Sequence, residues 1–458
     1  MPAPKVHVDN IISCLKQSAE IADVCTSVWA YKANTAVIEF ESKELKFALD
    51  LTYIQGGFVG SVLGRSDPAR RTLRNALVGT YEMAKAGGER HILGEIPLSQ
   101  DLPYIAAVKC HEWLTRVIGL IGNQLYISDS HMEADCINAL WWDKKPNFGD
   151  AIGPWLISKI ANKSPINGHG RKLSSPPLMT VGSILNLIER DETVVWGTGL
   201  MGPLSDAAVQ QLSTFENVSV RAVRGRLTRD EVVEKLGWEV PEVFGDPGLL
   251  LPRFLPIPKG REQKDLVAVV PHYLHMDYFK QLESNSVRVL DVQDGLERVV
   301  RQIATARVCL STSLHGVIIA QAYGVPWVWV RVEDHKLGGD TFKFEDFFST
   351  LDVSAVRSVD VAKDDIAAFD VHAVADAAAL PELQISLDAL LLSFPLMAQV
   401  GVSSKETPHS STTPQGVEEV EVPEDIVSYV ENLLQKIDTI AGELAEQRRL
   451  LEQLAKTH

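Results

Sequence analysis

From about residue 134 the chain alternates short apolar runs with amphipathic stretches. The runs are Ile137–Trp142, Thr193–Trp196, Val218–Val223, Leu266–Val270, Val287–Val292, Val308–Leu310 and Trp327–Val332. Stretches of helical period, such as Thr228–Leu236 and Gly295–Ala306, lie between them. Strands that alternate with helices predict parallel sheets covered on both faces. The segment Pro252–Gln263, with three prolines and a Lys-Gly-Arg turn, divides the region into similar halves. The expected fold is therefore α/β, with two Rossmann-like domains over 134–255 and 256–400 facing a cleft.

The pattern before residue 134 is different. Val28–Tyr31, Ala36–Phe40 and Leu45–Leu51 read as strands, and Gly56, Gly57, Gly60 and Gly64 follow. Residues 69–86 and 104–118 read as helices. Residues 1–133 are expected to form a small accessory α+β domain, and no motif in it names a chemistry. At the other end, residues 401–423 are rich in Ser, Thr, Pro and Glu and predict a flexible linker. Beyond it Ile426, Val430, Leu433, Ile437, Ile440, Leu444, Gln447, Leu451 and Leu454 alternate spacings of four and three. That is the seam of a left-handed coiled coil over 424–456. It predicts a homo-oligomer, a dimer before a trimer, with Gln447 a polar intrusion that sets register.

Composition narrows the function. Charged residues are 23% of the 458 and the net charge is −16, which disfavours a nucleic-acid binder. The five cysteines are scattered without CxxC pairing, so free thiols in a reducing compartment are expected. No apolar run suits a signal peptide or a transmembrane helix, which predicts a cytoplasmic protein. Peripheral membrane association stays open. HExxH, DxD and clustered His/Cys/Asp patterns are absent from the sequence, so neither a metal nor a cofactor is expected.

Candidate chemistry sits where apolar runs end. Ser311-Thr312-Ser313-Leu314-His315-Gly316 joins the run ending at Leu310 to a helical stretch. Free N–H groups at a helix start suit a phosphate, and a histidine there can move a proton near neutral pH. The bland alternative is an N-cap cluster with a packed histidine. Asn147-Phe148-Gly149-Asp150 is either a capped helix start or a contact to substrate hydroxyls. Gly197 and Gly199 allow close approach to a ligand. Arg221, Arg224 and Arg226 suit carboxylate or phosphate recognition, or form a solvated cluster. Asp246, in Gly245-Asp246-Pro247-Gly248, is a candidate base or a turn residue. His272 ends the run Leu266–Val270 and faces a cleft or the surface.

Taken in order, these pieces resemble the polysaccharide pyruvyl transferase family. The matching residues are Asn147-Phe148-Gly149-Asp150, Trp196-Gly197-Thr198-Gly199, Val223-Arg224-Gly225 with Thr228, and Gly245-Asp246-Pro247. Ser311 to Gly316, Ala322-Tyr323-Gly324-Val325-Pro326, and Lys343-Phe344 with Asp346-Phe347 complete the set, which spans about 137–352. The resemblance implies a fold similar to the two-domain GT-B glycosyltransferases. It implies transfer of a pyruvyl group from phosphoenolpyruvate to two hydroxyls of a sugar or lipid-linked glycan, giving a cyclic ketal. His315 then matches the active-site histidine and Arg224 a donor-holding arginine. Many members carry arginine two positions before that histidine, where this chain has Ser313, so the charge is expected from Arg224, Arg221, Arg226 or Lys343. The competing expectations are a sugar-nucleotide glycosyltransferase of the same fold and a non-catalytic scaffold.

Overall fold

The computed structural model describes residues 4–395 except 55, 86–87, 100, 127–135, 172, 259–262 and 340. The linker and heptad seam expected over 401–456 lie outside the described residues.

The first six strands are β1 (Ser27–Tyr31), β2 (Thr35–Ser42), β3 (Leu45–Ile54), β4 (Gly57–Gly64), β5 (Met83–Ala84) and β6 (Arg90–Pro97). They form one antiparallel sheet in the order β1-β2-β3-β4-β6-β5. Its core takes Val8, Ile11 and Leu15 from the helix Pro4–Gln17, Leu73 and Leu77 from Asp67–Leu77, and Leu114, Val117 and Ile121 from Leu102–Tyr126. The glycine-rich stretch that follows the first three strands in the sequence is the strand β4. A Cβ on Gly60 would lie 2.3 Å from the ring of Trp113, so glycine lets the long helix pack directly on the strand. The helix expected over 69–86 stops at Leu77, because Gly79 adopts φ +74° and the chain turns into β5. The helix expected over 104–118 runs on to Tyr126, since buried Leu114, Val117 and Ile121 keep the helical period through Gly119 and Gly122.

Ten further strands make two parallel sheets. β7 (Cys136–Leu140), β8 (Ser164–Asn167), β9 (Leu178–Met179), β10 (Val194–Trp196) and β11 (Ser219–Ala222) lie in the order β11-β10-β9-β7-β8. β12 (Gln263–Val270), β13 (Val287–Val289), β14 (Ala306–Ser311), β15 (Trp327–Val332) and β16 (Ser358–Val361) lie in the order β13-β12-β14-β15-β16. Every pairing within both sheets is parallel. Both sheets share one topology: the second strand lies outside the first, and the third lies on its other side. The strand order therefore reverses between β7 and β9 and again between β12 and β14. In open parallel sheets such a reversal leaves a crevice beyond the carboxyl ends of the strands.

The two sheets share apolar packing. Phe148, Ile152, Trp155 and Leu156 of the helix Phe148–Ile160 meet Val299 and Ile303 of Leu296–Ala304 and Val317 and Ile318 of Leu314–Ala322 in one cluster. The antiparallel sheet's helices and loops reach both parallel sheets. Asn75 donates to Asp143 (2.7 Å) after β7, and Lys85 Nζ pairs with Asp291 (2.6 Å) after β13. Among the described residues no helix is long and apolar enough to cross a membrane.

Candidate active site

The four strand-end loops at the two reversal points, with Met201 from the loop after β10, build one cleft of about 390 Å3. After β7 come Trp142, Asn147 and Asp150, and after β9 come Gly182, Ser183 and Ile184. After β12 come His272 and Tyr273, and after β14 come Ser313, Leu314 and His315. Lys343, from the helix Phe342–Phe348, closes the wall.

His315 is the second residue of the helix Leu314–Ala322, whose first-turn N–H groups have no acceptor within the helix. Its side chain is 12% exposed. Phe148 meets the imidazole edge-on at 6.5 Å between centroids. The other neighbour is the backbone of Gly149, where a Cβ would lie 2.2 Å from His315 Nδ1. The glycine in Asn147-Phe148-Gly149-Asp150 thus admits the histidine ring itself. Asn147 caps the helix Phe148–Ile160, accepting from the Gly149 N–H at 3.1 Å.

Behind the imidazole lies Asp246, fully buried. Its Oδ1 accepts from the Gly248 N–H at 2.8 Å, and its Oδ2 faces His315 Nε2 at 3.8 Å. Those two facing atoms are buried and without a hydrogen-bond partner. Burial pushes the Asp246 carboxyl up to about 7, against the pull of the Gly248 N–H and Arg224. Burial pushes His315 down to about 3, helped by the positive charges of Arg224 and Lys343. The same low dielectric thus favours the neutral form of both groups. Below pH about 7 the proton of the pair rests on the carboxyl. Asp150, half-buried in the cleft wall across from His315, is also raised to about 7 by desolvation, with Asn147 opposing.

The turn Ser311–Gly316 divides into structural and exposed members. Ser311 Oγ donates to Val270 O or Ser313 O (both 2.8 Å) and accepts from the Ser313 N–H (3.0 Å), so its hydrogen-bonding capacity is spent inside the fold. Thr312 Oγ1 accepts from the His272 N–H at 2.8 Å and meets His275 Nδ1 at 2.9 Å. A Cβ on Gly316 would strike Ser311 Oγ at 2.2 Å. Only Ser313, Leu314 and His315 of the turn reach the cleft. Ser311, Thr312 and Gly316, expected to contact a ligand, lie behind the cleft wall and hold the turn.

The arginines are also redistributed. Arg224 has no exposed surface. Its Nε donates to Asp346 (2.8 Å), one terminal nitrogen to Ser183 Oγ (2.6 Å) and the other to Leu200 O (2.7 Å). Every guanidinium nitrogen already has a protein partner, so this arginine braces the cleft wall through Ser183 and does not line it. Gly199 serves the same packing, since a Cβ there would lie 2.5 Å from the guanidinium carbon. Gly197, with φ +86°, abuts Pro247. Arg221 is exposed at a separate surface groove beside Arg229 and Trp238. Arg226 is exposed, stacks on Phe244 at 4.6 Å and donates to Ser349 O. Neither of these two reaches the cleft. Of the four candidate cations, Lys343 is the one in its wall; its Nζ donates to Gly338 O at 3.1 Å.

His272 lines the cleft and stacks beside Tyr273 at 4.3 Å; burial pushes it down to about 3, with Lys343 and the neighbouring histidines adding to the shift. Three positions that shape the site were given no role from the sequence. Ser183 follows β9, which has only two residues and gave no apolar run. His275, 2% exposed, fixes Thr312 and bonds His335 O at 2.9 Å. Asp346 was noted only as part of a pattern. It accepts from the Thr228 N–H (2.7 Å) and hydroxyl (2.8 Å) besides Arg224.

The family described as Polysaccharide pyruvyl transferase matches over residues 183–335, which run from the cleft residue Ser183 through His272 and His315. Over these residues the chain is similar to the polysaccharide pyruvyl transferase family. The chain is similar to the succinoglycan biosynthesis protein ExoV of Rhizobium meliloti, 27% identical over 225 residues, covering 47% of this chain and 64% of that protein. It is similar also to an uncharacterized protein of Acanthamoeba polyphaga mimivirus, 27% identical over 216 residues, covering 46% of this chain and 72% of that one. Asn147, Asp150 and the antiparallel sheet lie outside the family match.

Proposed function

We propose that the protein transfers a pyruvyl group from phosphoenolpyruvate to two hydroxyls of a sugar in a polysaccharide or its precursor. The observation that carries this reading is His315, at a helix start on the reversal point of the second sheet, backed by a buried carboxyl and facing Lys343. The phosphate of the donor suits the N–H groups at Leu314 and His315, the Ser313 hydroxyl and the Lys343 charge. The replacement of arginine by Ser313 is thereby offset by Lys343 rather than by Arg224.

The chemistry follows from the charge states. One sugar hydroxyl adds to C2 of the enol phosphate while C3 takes a proton. The second hydroxyl then attacks C2, phosphate leaves, and the ketal closes. The hydroxyls surrender two protons; C3 takes up one and the departing phosphate can carry the other. A neutral His315 is suited to accept a proton and relay it, with Asp246 as the store behind it. Asp150, on the opposite wall, is the candidate base for a sugar hydroxyl. General acid–base help of this kind is typically worth about 10²–10⁴-fold.

His315→Ala is expected to abolish phosphoenolpyruvate-dependent phosphate release in the presence of acceptor while the circular dichroism spectrum stays native. Near-normal turnover would reject the assignment. A nucleotide-sugar transferase is the alternative on the same pair of sheets. It predicts thermal stabilisation by nucleotide sugars, where the pyruvyl transferase reading predicts stabilisation by phosphoenolpyruvate.

A further inference from the structure

A second groove, of about 880 Å3, lies on the far side of the loop that follows β7. The loop is a shared wall: Trp142 and Asn147 face the cleft, while Lys144, Lys145 and Pro146 line the groove. The opposite wall comes from the helix Asp67–Leu77, outside the family match, and the end from Asn167, His169 and Arg171.

In a chain of net charge −16, this groove sets Arg71, Arg74, Lys144, Lys145 and Arg171 against the acids Asp67, Glu89 and Asp143. Two of the cations are neutralised within the fold: Arg74 pairs with Glu89 at 2.6 Å and Arg71 with Asp143 at 2.5 Å. Asn75 takes the second oxygen of Asp143, so that buried carboxylate is fully engaged. Among the described residues Arg171, Lys144 and Lys145 form no ion pair with a carboxylate. The two lysines instead lie 4.8 and 5.2 Å from the rings of Trp142 and Tyr273, both cleft residues. Arg171 is half-buried, and desolvation works against its charge. The nearby acid, Asp143, favours its charge but is already bonded by Arg71 and Asn75, and the Arg71 charge opposes it. A guanidinium so placed is costly, and an incoming anion relieves that cost.

We propose that this groove is an anion subsite, and that the acceptor carries a phosphate or carboxylate which Arg171, Lys144 and Lys145 hold while its hydroxyls lie in the cleft. The link to an acceptor rests on the pyruvyl transferase reading; the binding of an anion by the groove does not.

The test is calorimetric titration of inorganic pyrophosphate, and separately of glucuronate, into the full chain pre-mixed with phosphoenolpyruvate. The wild type is compared with Arg171→Gln and with the exposed pair Lys144→Gln/Lys145→Gln. One of the two anions is expected to bind, and each variant to weaken it about tenfold, as loss of a charge-assisted contact would. Preference for pyrophosphate identifies a diphosphate-bearing acceptor, and preference for glucuronate an acidic sugar. Absence of binding by both anions, or binding indifferent to all three side chains, overturns the proposal. The affinity for phosphoenolpyruvate, measured first, tests the donor reading separately.

Discussion

At the scale of residues, catalysis on this account depends on an imidazole kept neutral and a carboxyl kept protonated. Gly149 is the steric condition for the first. Gly149→Ala would place a methyl 2.2 Å from His315 Nδ1, so the ring must move. A kcat loss of about 10²-fold is expected, as for misplacement of a catalytic group by about 1 Å, with circular dichroism unchanged. The carboxyl gives a pH signature. Asp246 is raised to about 7, whereas an unfolded aspartate titrates near ~3.9. Between those values the folded state holds a proton that the unfolded state releases. Its contribution to stability is therefore full below the lower value and lost as pH rises through the upper one. His315 and His272, lowered to about 3, act with the opposite sign. Their contribution is present above ~6.5 and lost as pH falls. Asp246→Asn should thus gain stability relative to wild type as pH rises from 4 to 8, seen in urea midpoints at each pH. A pH-independent difference would contradict the assigned charge state. The same variant should lose the fall in kcat/KM expected in the wild type above pH about 7.

Elements show why some of the site was legible and some was not. His315 and His272 could be named because each follows a long apolar run, β14 and β12, and a strand end in a parallel sheet faces a crevice. Ser183 could not, because β9 has two residues. The strands β8 and β16 escaped for a related reason: Ser164–Asn167 and Ser358–Val361 are too polar to stand out as apolar runs. Arg224 was found but its partner was not, since a sequence cannot show that Asp346, 122 positions away, meets it across the fold. The bond joins the end of β11 in one sheet to the helix after β15 in the other. Removing one member of a buried pair is strongly destabilising, by about 3–5 kcal/mol. Arg224→Met should lose that much in equilibrium unfolding, with a double-mutant cycle against Asp346→Ala showing coupling. A donor-anchoring arginine would instead raise the KM for phosphoenolpyruvate at unchanged stability.

The whole molecule sets two parallel sheets of one topology against each other, so their reversal points form opposite walls of a single cleft. The antiparallel sheet contacts both, through Asp143 on one side and Asp291 on the other. Its glycine-rich strand was hidden in the sequence because β4 has glycine where Trp113 and the helix Asp67–Leu77 press against it. The parallel sheets were legible because strand and helix periods alternate so regularly. The central claim is pyruvyl transfer at His315, and a product mass tests it most directly. The full chain is incubated with phosphoenolpyruvate and a panel of oligosaccharides, neutral and acidic, and the products are weighed by mass spectrometry. The account predicts an acceptor heavier by one pyruvate ketal, with one phosphate released per transfer and none of either with His315→Ala. No ketal on any acceptor, or the same yield from His315→Ala, would contradict it.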